Sequence, residues 1–73
     1  MRLPAGLTEK EFRIIGLIGA GLRNEQVAEE ASLSINSVKS YIRVAYQKIG
    51  VTERQGAIRW ANAHGLGGPD RWK

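Results

Sequence analysis

Residues 26–48 read QVAEEASLSINSVKSYIRVAYQK, and this stretch decides the fold. Its pattern predicts a short helix, a polar turn at residues 32–34 and a longer helix from Ile35 to Ile49. Apolar residues recur in the longer helix at alternating spacings of three and four, which places them on one helical face. They are Ile35, Val38, Ile42, Ala45 and Ile49. Ser34 is expected to cap the start of this helix, and Gly50 to end it in a left-handed conformation.

The opposite face of the longer helix is polar and basic. It carries Asn36, Lys39, Ser40, Arg43 and Gln47, and residues 34–51 contain no Asp or Glu. Such a face suits the DNA major groove, where Asn reads adenine and Lys or Arg reads guanine. Hydroxyl groups and the amides at a helix start reach phosphates. The competing interpretation of the same charges is an ordinary solvated surface.

The packing expected between the two helices favours the DNA interpretation. Ala28 is small, the turn carries Ser32 and the apolar Leu33, and Val38 follows Ala28 by ten positions. A small residue lets two helices cross closely, and Val38 is expected to face back into that crossing. This arrangement is typical of a helix-turn-helix.

Three more helix boundaries follow from capping patterns. Residues 8–11, TEKE, match a capping box and predict a helix from Glu9 to about Ala20, followed by Gly21. Asn24 is the predicted N-cap of the short helix, which would run from Glu25 to Ala31 or Ser32.

A second capping box occurs near the end of the chain. Residues 52–55, TERQ, predict a last helix from Glu53 to about His64. No strand pattern is present, so the sequence predicts an all-α, four-helix, bundle-like domain that contains a helix-turn-helix. We expect residues 1–7 to be an extended lead-in or linker end, residues 8–66 the domain, and residues 67–73 a flexible tail.

Composition limits the classes of function. A chain of 73 residues is enough for one small domain, and a net charge of +4 favours a polyanionic partner. With no Cys and one His, neither a disulfide nor a metal site is expected, and no cofactor is expected. An enzyme is not expected, because the sequence offers no nucleophile–base pair. No apolar run approaches the roughly 18 residues that span a bilayer, and we expect a cytoplasmic protein without a membrane partner.

The chain resembles the LuxR-type, or GerE-like, DNA-binding domain of NarL/FixJ response regulators and quorum-sensing regulators. The resemblance covers about residues 7–66 and rests on several blocks at consistent spacing. These blocks are Leu7-Thr8-x-x-Glu11, Gly21-Leu22-x-Asn24-x-x-Val27-Ala28, Ser34-x-x-Ser37-Val38-Lys39, Lys48-Ile49-Gly50-Val51, Arg54 and His64-Gly65-Leu66. The departures are Tyr41 where His is common, Val44 where Asn is frequent, Ala31 where a larger apolar residue is usual, and Gly19 in place of Ala.

The resemblance implies sequence-specific binding of double-stranded DNA by a bacterial transcriptional regulator, with the longer helix in the major groove. The implied base-facing residues are Asn36, Lys39 and Ser40, together with Val38, which would pack the helix and bring its methyl groups near the bases. Arg43 is also expected to face the bases, because the residue pattern places it on the same polar face of the helix. The implied backbone contacts are Ser34, Ser37, Tyr41, Lys48 and Arg54. The resemblance also implies a homodimer on an inverted repeat, formed through Thr52, Gln55, Gly56, Arg59 and Ala63.

Further partners and two competing functions stay open at this point. RNA polymerase is one expected partner, and a receiver or ligand-binding domain before Met1 in a longer protein is another. A helical protein-interaction module, docking on RNA polymerase or a sensor partner, would use the last helix and Trp60. A sigma-factor region-four reader would also use a helix-turn-helix, but the Lys48-Ile49-Gly50-Val51 and His64-Gly65-Leu66 blocks fit it less well.

Overall fold

A computed structural model describes residues 3–66 of the chain. A short 3₁₀ segment, Pro4–Gly6, precedes four helices, which are α1 (Glu9–Gly19), α2 (Asn24–Ala31), α3 (Ile35–Ile49) and α4 (Arg54–Ala63). Residues 3–66 contain no strand, which confirms the predicted all-α class. In this part of the chain, each helix is too short or too polar to cross a membrane.

Helix α1 is the centre of the domain, because it packs against each of the other three helices. Its side chains Ile14, Ile15 and Ile18 have no exposed surface. The predicted capping box starts this helix. Thr8 Oγ1 accepts the Glu11 N–H at 3.2 Å, and Glu11 Oε1 accepts the Thr8 N–H at 2.9 Å.

The helix-turn-helix packs as its sequence predicts. Val38 is fully buried and Ala28 nearly so, which allows α2 and α3 to lie close together. Ser32 ends α2 with a φ of 56°, and the Leu33 N–H then donates to the Ala28 carbonyl at 2.9 Å. A left-handed residue other than glycine costs roughly 1–2 kcal/mol. In return, the left-handed conformation of Ser32 changes the chain direction so that a turn of three residues joins α2 to α3.

Helix α3 has the bounds that the sequence predicts. Ser34 Oγ accepts the Ser37 N–H at 3.2 Å, and Gly50 ends the helix with a φ of 76°. Val38 and Ala45 are fully buried, while the three isoleucines of the predicted stripe are half-buried against the same core. The apolar face of α3 is therefore anchored along its whole length.

Two predicted helix starts are wrong by one residue. Asn24 belongs to the first turn of α2 instead of capping it, and Arg23 is the N-cap, with its N–H donating to Gln26 Oε1 at 2.8 Å. Helix α4 begins at Arg54, with Glu53 as its N-cap and no capping bond from a side chain. The Thr52 capping box does not form, and the contacts at this junction are instead the bond of Arg54 to the Leu22 carbonyl and the packing of Val51 against Gly56.

The predicted extended lead-in is also corrected. The Leu7 N–H donates to the Pro4 carbonyl at 3.1 Å, and the Leu7 side chain is buried in the core, with Leu3 packed against it. At the other end, Gly65 turns the chain with a φ of 75°, and Leu66 returns to the core. The predicted flexible tail, residues 67–73, and its Trp72 lie outside the described residues.

Candidate nucleic-acid interface

The outer face of α3 is exposed along the length of the helix. The five polar residues predicted for this face, Asn36, Lys39, Ser40, Arg43 and Gln47, are all exposed. Neither Lys39 nor Arg43 has a hydrogen bond or an ion pair to another residue of the 3–66 range. Their charges are therefore available to a partner outside the domain.

Hydroxyl groups cluster at the N-terminal end of α3. Ser34 Oγ donates to Ser37 Oγ at 3.0 Å while it caps the helix. Ser34 is exposed, and Ser37 and Tyr41 are half-exposed. Since the start of a helix carries partial positive charge and hydrogen-bond donors, this end of α3 is suited to a phosphate group.

A shallow groove runs beside these residues, between the start of α1 and the outer face of α3. Its volume is about 380 Å³, and its lining residues are Glu11, Asn36, Ser37, Ser40, Tyr41 and Val44. Four side chains that were predicted to face bases or to contact the backbone therefore share one surface with Val44, which was not among the predicted site residues.

Val38 lies on the other side of the helix. Its side chain has no exposed area. The predicted packing role is confirmed, but a fully buried side chain has no surface to offer to a base. The base-facing assignment of Val38 is therefore corrected, and its function is to hold α3 against α2.

Lys48 lies at the C-terminal end of α3 and is bonded within the fold. Its Nζ donates to Glu11 Oε1 at 2.8 Å and to the Gly6 carbonyl at 3.3 Å. The Glu11 side chain is 7% exposed and that of Lys48 is 32% exposed, so this ion pair is partly shielded from water. Lys48 thereby joins the 3₁₀ segment, the first turn of α1 and the end of α3.

The Glu11 carboxylate is held in its charged form. Burial by itself would raise the pKa of Glu11, but the hydrogen bonds from Lys48 and from the backbone at Thr8 outweigh burial and lower this pKa. Because Lys48 balances its charge, Glu11 adds no net negative charge to the groove. The ion pair thus keeps the acid from repelling an anionic partner at this surface.

Arg54 also has a partner within the fold. Its Nη2 donates to the Leu22 carbonyl, which ties the start of α4 to the segment between α1 and α2. Burial raises the pKa of Tyr46, and the nearby charge of Arg54 offsets part of that rise. Arg54 is half-buried. Four of the five guanidinium N–H donors of an arginine remain for other partners when one is used.

The residues predicted for a dimer interface lie at or near the surface of α4 and the turn before it. Thr52, Gln55, Arg59 and Ala63 are exposed, and the last three follow at spacings of four, which places them on one strip of the helix. At Gly56, packing within the domain requires a small residue. A Cβ atom there would lie 3.1 Å from Val51 Cβ, so a larger residue would push Val51 away from α4.

The aromatic pair near the end of α4 is structural in character. The rings of Trp60 and His64 stack with centroids 3.9 Å apart, and His64 Nδ1 lies 2.8 Å from the Trp60 carbonyl oxygen. Trp60 is half-buried against the core. This geometry gives His64 a structural role at the C-terminal end of α4.

Two residues of this surface escaped the sequence prediction. Helical spacing contained the signal for Val44, since it follows Asn36 and Ser40 by steps of four and must share their face. No comparable signal existed for the pairing of Glu11 with Lys48, which are 37 positions apart. The capping box alone was enough to explain an acid at Glu11, and the contact of Glu11 with Lys48 appears only in the packed domain.

Comparison with known proteins identifies one family. Residues 5–61 match the family model described as bacterial regulatory proteins, luxR family. The match spans most of the 3₁₀ segment, α1, α2, α3 and most of α4, including the whole groove and the exposed face of α3. No solved structure matches the chain. The matched family consists of DNA-binding regulatory proteins and is not a family of enzymes.

Proposed function

This chain belongs to the luxR family of bacterial regulatory proteins, whose members bind DNA, and we propose that it binds double-stranded DNA sequence-specifically through α3. The observation that carries the proposal is the outer face of α3, which is exposed, free of acidic residues and supplied with two unpartnered cations among the described residues. Helix α3 has 15 residues and is about 22 Å long. Such a helix fits the major groove, which is about 12 Å wide.

In this proposal, base contacts come from Asn36, Lys39, Ser40 and Arg43. Lys39 and Arg43 would donate to guanine O6 and N7, and Asn36 would pair with the N6 and N7 edge of adenine. Because all four side chains project from one helical face, they can enter the groove together while Val38 and Ala45 hold the helix from behind.

Backbone contacts are proposed for the edges of the same surface. The hydroxyl groups of Ser34, Ser37 and Tyr41 surround the positive end of α3, and Arg54 retains free N–H donors. Lys48 uses two of its three N–H donors within the fold. Since Glu11 also balances its charge, a backbone contact from Lys48 would add little net attraction for phosphate.

We further propose that two copies bind an inverted repeat through α4. The exposed strip of Gln55, Arg59 and Ala63 supports this, with Thr52 and Gly56 beside it. Inverted symmetry in the DNA site would mirror the two-fold axis of such a dimer. The proposal places this domain, with the 3₁₀ segment and Leu7 packed into it, in the bacterial cytoplasm. It includes RNA polymerase and a receiver or ligand-binding domain as further partners.

Selection of bound sites from random duplexes, followed by anisotropy titration, tests the proposal. We expect selected sites with inverted symmetry and an affinity that falls steeply as salt rises. Lys39→Ala should weaken binding to the selected site by about 1–3 kcal/mol and relax the base preference at one position per half-site.

A matched control is Lys10→Ala on α1, which removes the same charge outside the α3 face. This variant should leave the base preference unchanged. If no duplex is enriched and salt has no effect, DNA binding is excluded. A helical module that docks on RNA polymerase or a sensor partner through α4 and Trp60 then becomes the better function.

A further inference from the structure

One side chain on the outer face of α3 is apolar. Val44 is 41% exposed and is the sole large hydrophobic residue so exposed between residues 3 and 66. It lies in the groove described above, together with Asn36, Ser37, Ser40 and Tyr41. The adjacent Ala45 is fully buried, so Val44 points away from the core that its neighbour joins.

Valine presents its methyl groups rigidly at this position. In a helix, a β-branched side chain is restricted to essentially one χ1 rotamer. Its Cβ substituents therefore face outward in one orientation, and the groove beside them is open. Its neighbours on α3 offer hydroxyl and amide groups, which can turn to suit a donor or an acceptor, and the Glu11 carboxylate across the groove is paired with Lys48. Val44 instead offers only a fixed apolar surface.

The major groove presents one apolar feature, the C5-methyl group of thymine. Adenine, guanine and cytosine lack this methyl group, so they would leave polar atoms or an empty space next to the valine. Resting on the proposed function, we propose that Val44 selects thymine by packing against this methyl group. The class of target is therefore a duplex with a thymine at a defined position of each half-site.

The helix geometry limits where that thymine lies. Val44 follows Asn36 by eight residues, which is about 12 Å along the axis of α3. Base pairs follow one another at about 3.4 Å. When the helix lies along the groove, the thymine is at most three to four base pairs from the base that Asn36 contacts.

Single replacement of each thymine in the selected duplex by deoxyuridine tests this inference. The replacement removes the C5-methyl group and leaves the pairing edges intact. We expect one position per half-site at which deoxyuridine weakens binding about fourfold, which corresponds to roughly 0.8 kcal/mol for one buried methyl group. Val44→Ala should abolish the difference between thymine and deoxyuridine at that position, whereas Val44→Ile should retain it.

Lys39→Ala provides the matched comparison. It should weaken binding to both duplexes and preserve their ratio at the Val44 position. Equal affinity for thymine and deoxyuridine at every position in the wild-type protein overturns the inference, and so does a difference that persists in Val44→Ala. Failure of the proposed function is distinct from both, because no duplex of any sequence would then bind. Thermal unfolding should be similar for Val44→Ala and the wild type, since the side chain is exposed.

Discussion

Lys39 and Lys48 lie on the same helix, nine residues apart, yet the domain uses them differently. Lys39 extends from the outer face of α3 with no partner between residues 3 and 66, whereas Lys48 binds Glu11 and the Gly6 carbonyl. Both belong to blocks that resemble one family, and both would count equally in a net charge. A basic residue near a DNA-binding surface is therefore not a DNA contact by charge alone.

The difference arises from the direction in which each side chain leaves the helix. Lys39 is exposed on the outer face of α3, while Lys48 lies where α3 passes the first turn of α1 and the 3₁₀ segment. Lys48 stabilises the packing of α3 on α1 and the 3₁₀ segment, and this packing holds α3 with its outer face exposed. Arg54 is intermediate, because one of its N–H groups is bonded to Leu22 while its half-buried guanidinium retains others.

The largest expected effect is a difference in protein stability between substitutions of the two lysines. Lys48→Met should lower the free energy of unfolding by about 2 kcal/mol, because Glu11 would lose a charge-assisted hydrogen bond at a shielded site. This corresponds to a melting temperature about 10 °C lower in so small a domain. Lys39→Met should change the free energy by less than about 0.5 kcal/mol. Thermal and urea unfolding measure both variants, and equal destabilisation would contradict the distinction.

A somewhat smaller effect is expected at Arg54. Arg54→Ala should cost about 1.5 kcal/mol of stability, because the Leu22 carbonyl loses a charged donor. It should also weaken binding to all duplexes alike and lower the salt slope by about one unit. Anisotropy titrations at several salt concentrations give that slope. A change in stability with an unchanged slope would assign Arg54 to the fold alone.

The smallest effect is a dependence of stability on pH. The pKa of Glu11 is lowered from its ordinary value of 4.5, so the native state binds fewer protons than the unfolded state near that pH. The stabilisation is therefore present above pH 4.5 and is lost as the pH falls through the lowered pKa of the folded state. Glu11→Gln lacks this dependence. Urea unfolding at pH 7 and pH 3 should show a smaller gap between wild type and variant at pH 3, and a constant gap would refute the assignment.

Local patterns predicted much of this fold because the interactions that enforce them are local. The capping bonds of Thr8 and Ser34 join residues three positions apart, so sequence spacing was sufficient to find them. The same spacing in residues 52–55 failed, since α4 begins at Arg54 without a side-chain cap and its start is held by the bond of Arg54 to the Leu22 carbonyl. A capping pattern predicts a helix start only where tertiary contacts agree with it.

The candidate interface divides in the same way. Helical periodicity predicted the exposed polar face of α3, and the same periodicity places Val44 on that face. It placed Val38 on the apolar face, but the complete burial of this side chain depends on how closely α2 approaches. The contacts proposed with DNA and with a second copy of the chain involve partners outside this domain, and they stay predictions for the experiments described above.

The sequence by itself determined that the chain is all-α, that one helix spans Ile35–Ile49, and that this helix has an apolar side and an acid-free polar side. Caps and a period of 3.6 residues act over a few positions, so they can be read along the chain. Only the tertiary structure decided which cations are free. The Lys48–Glu11 pair exists because α1 and α3 pack together, and a contact across 37 positions has no trace in local spacing.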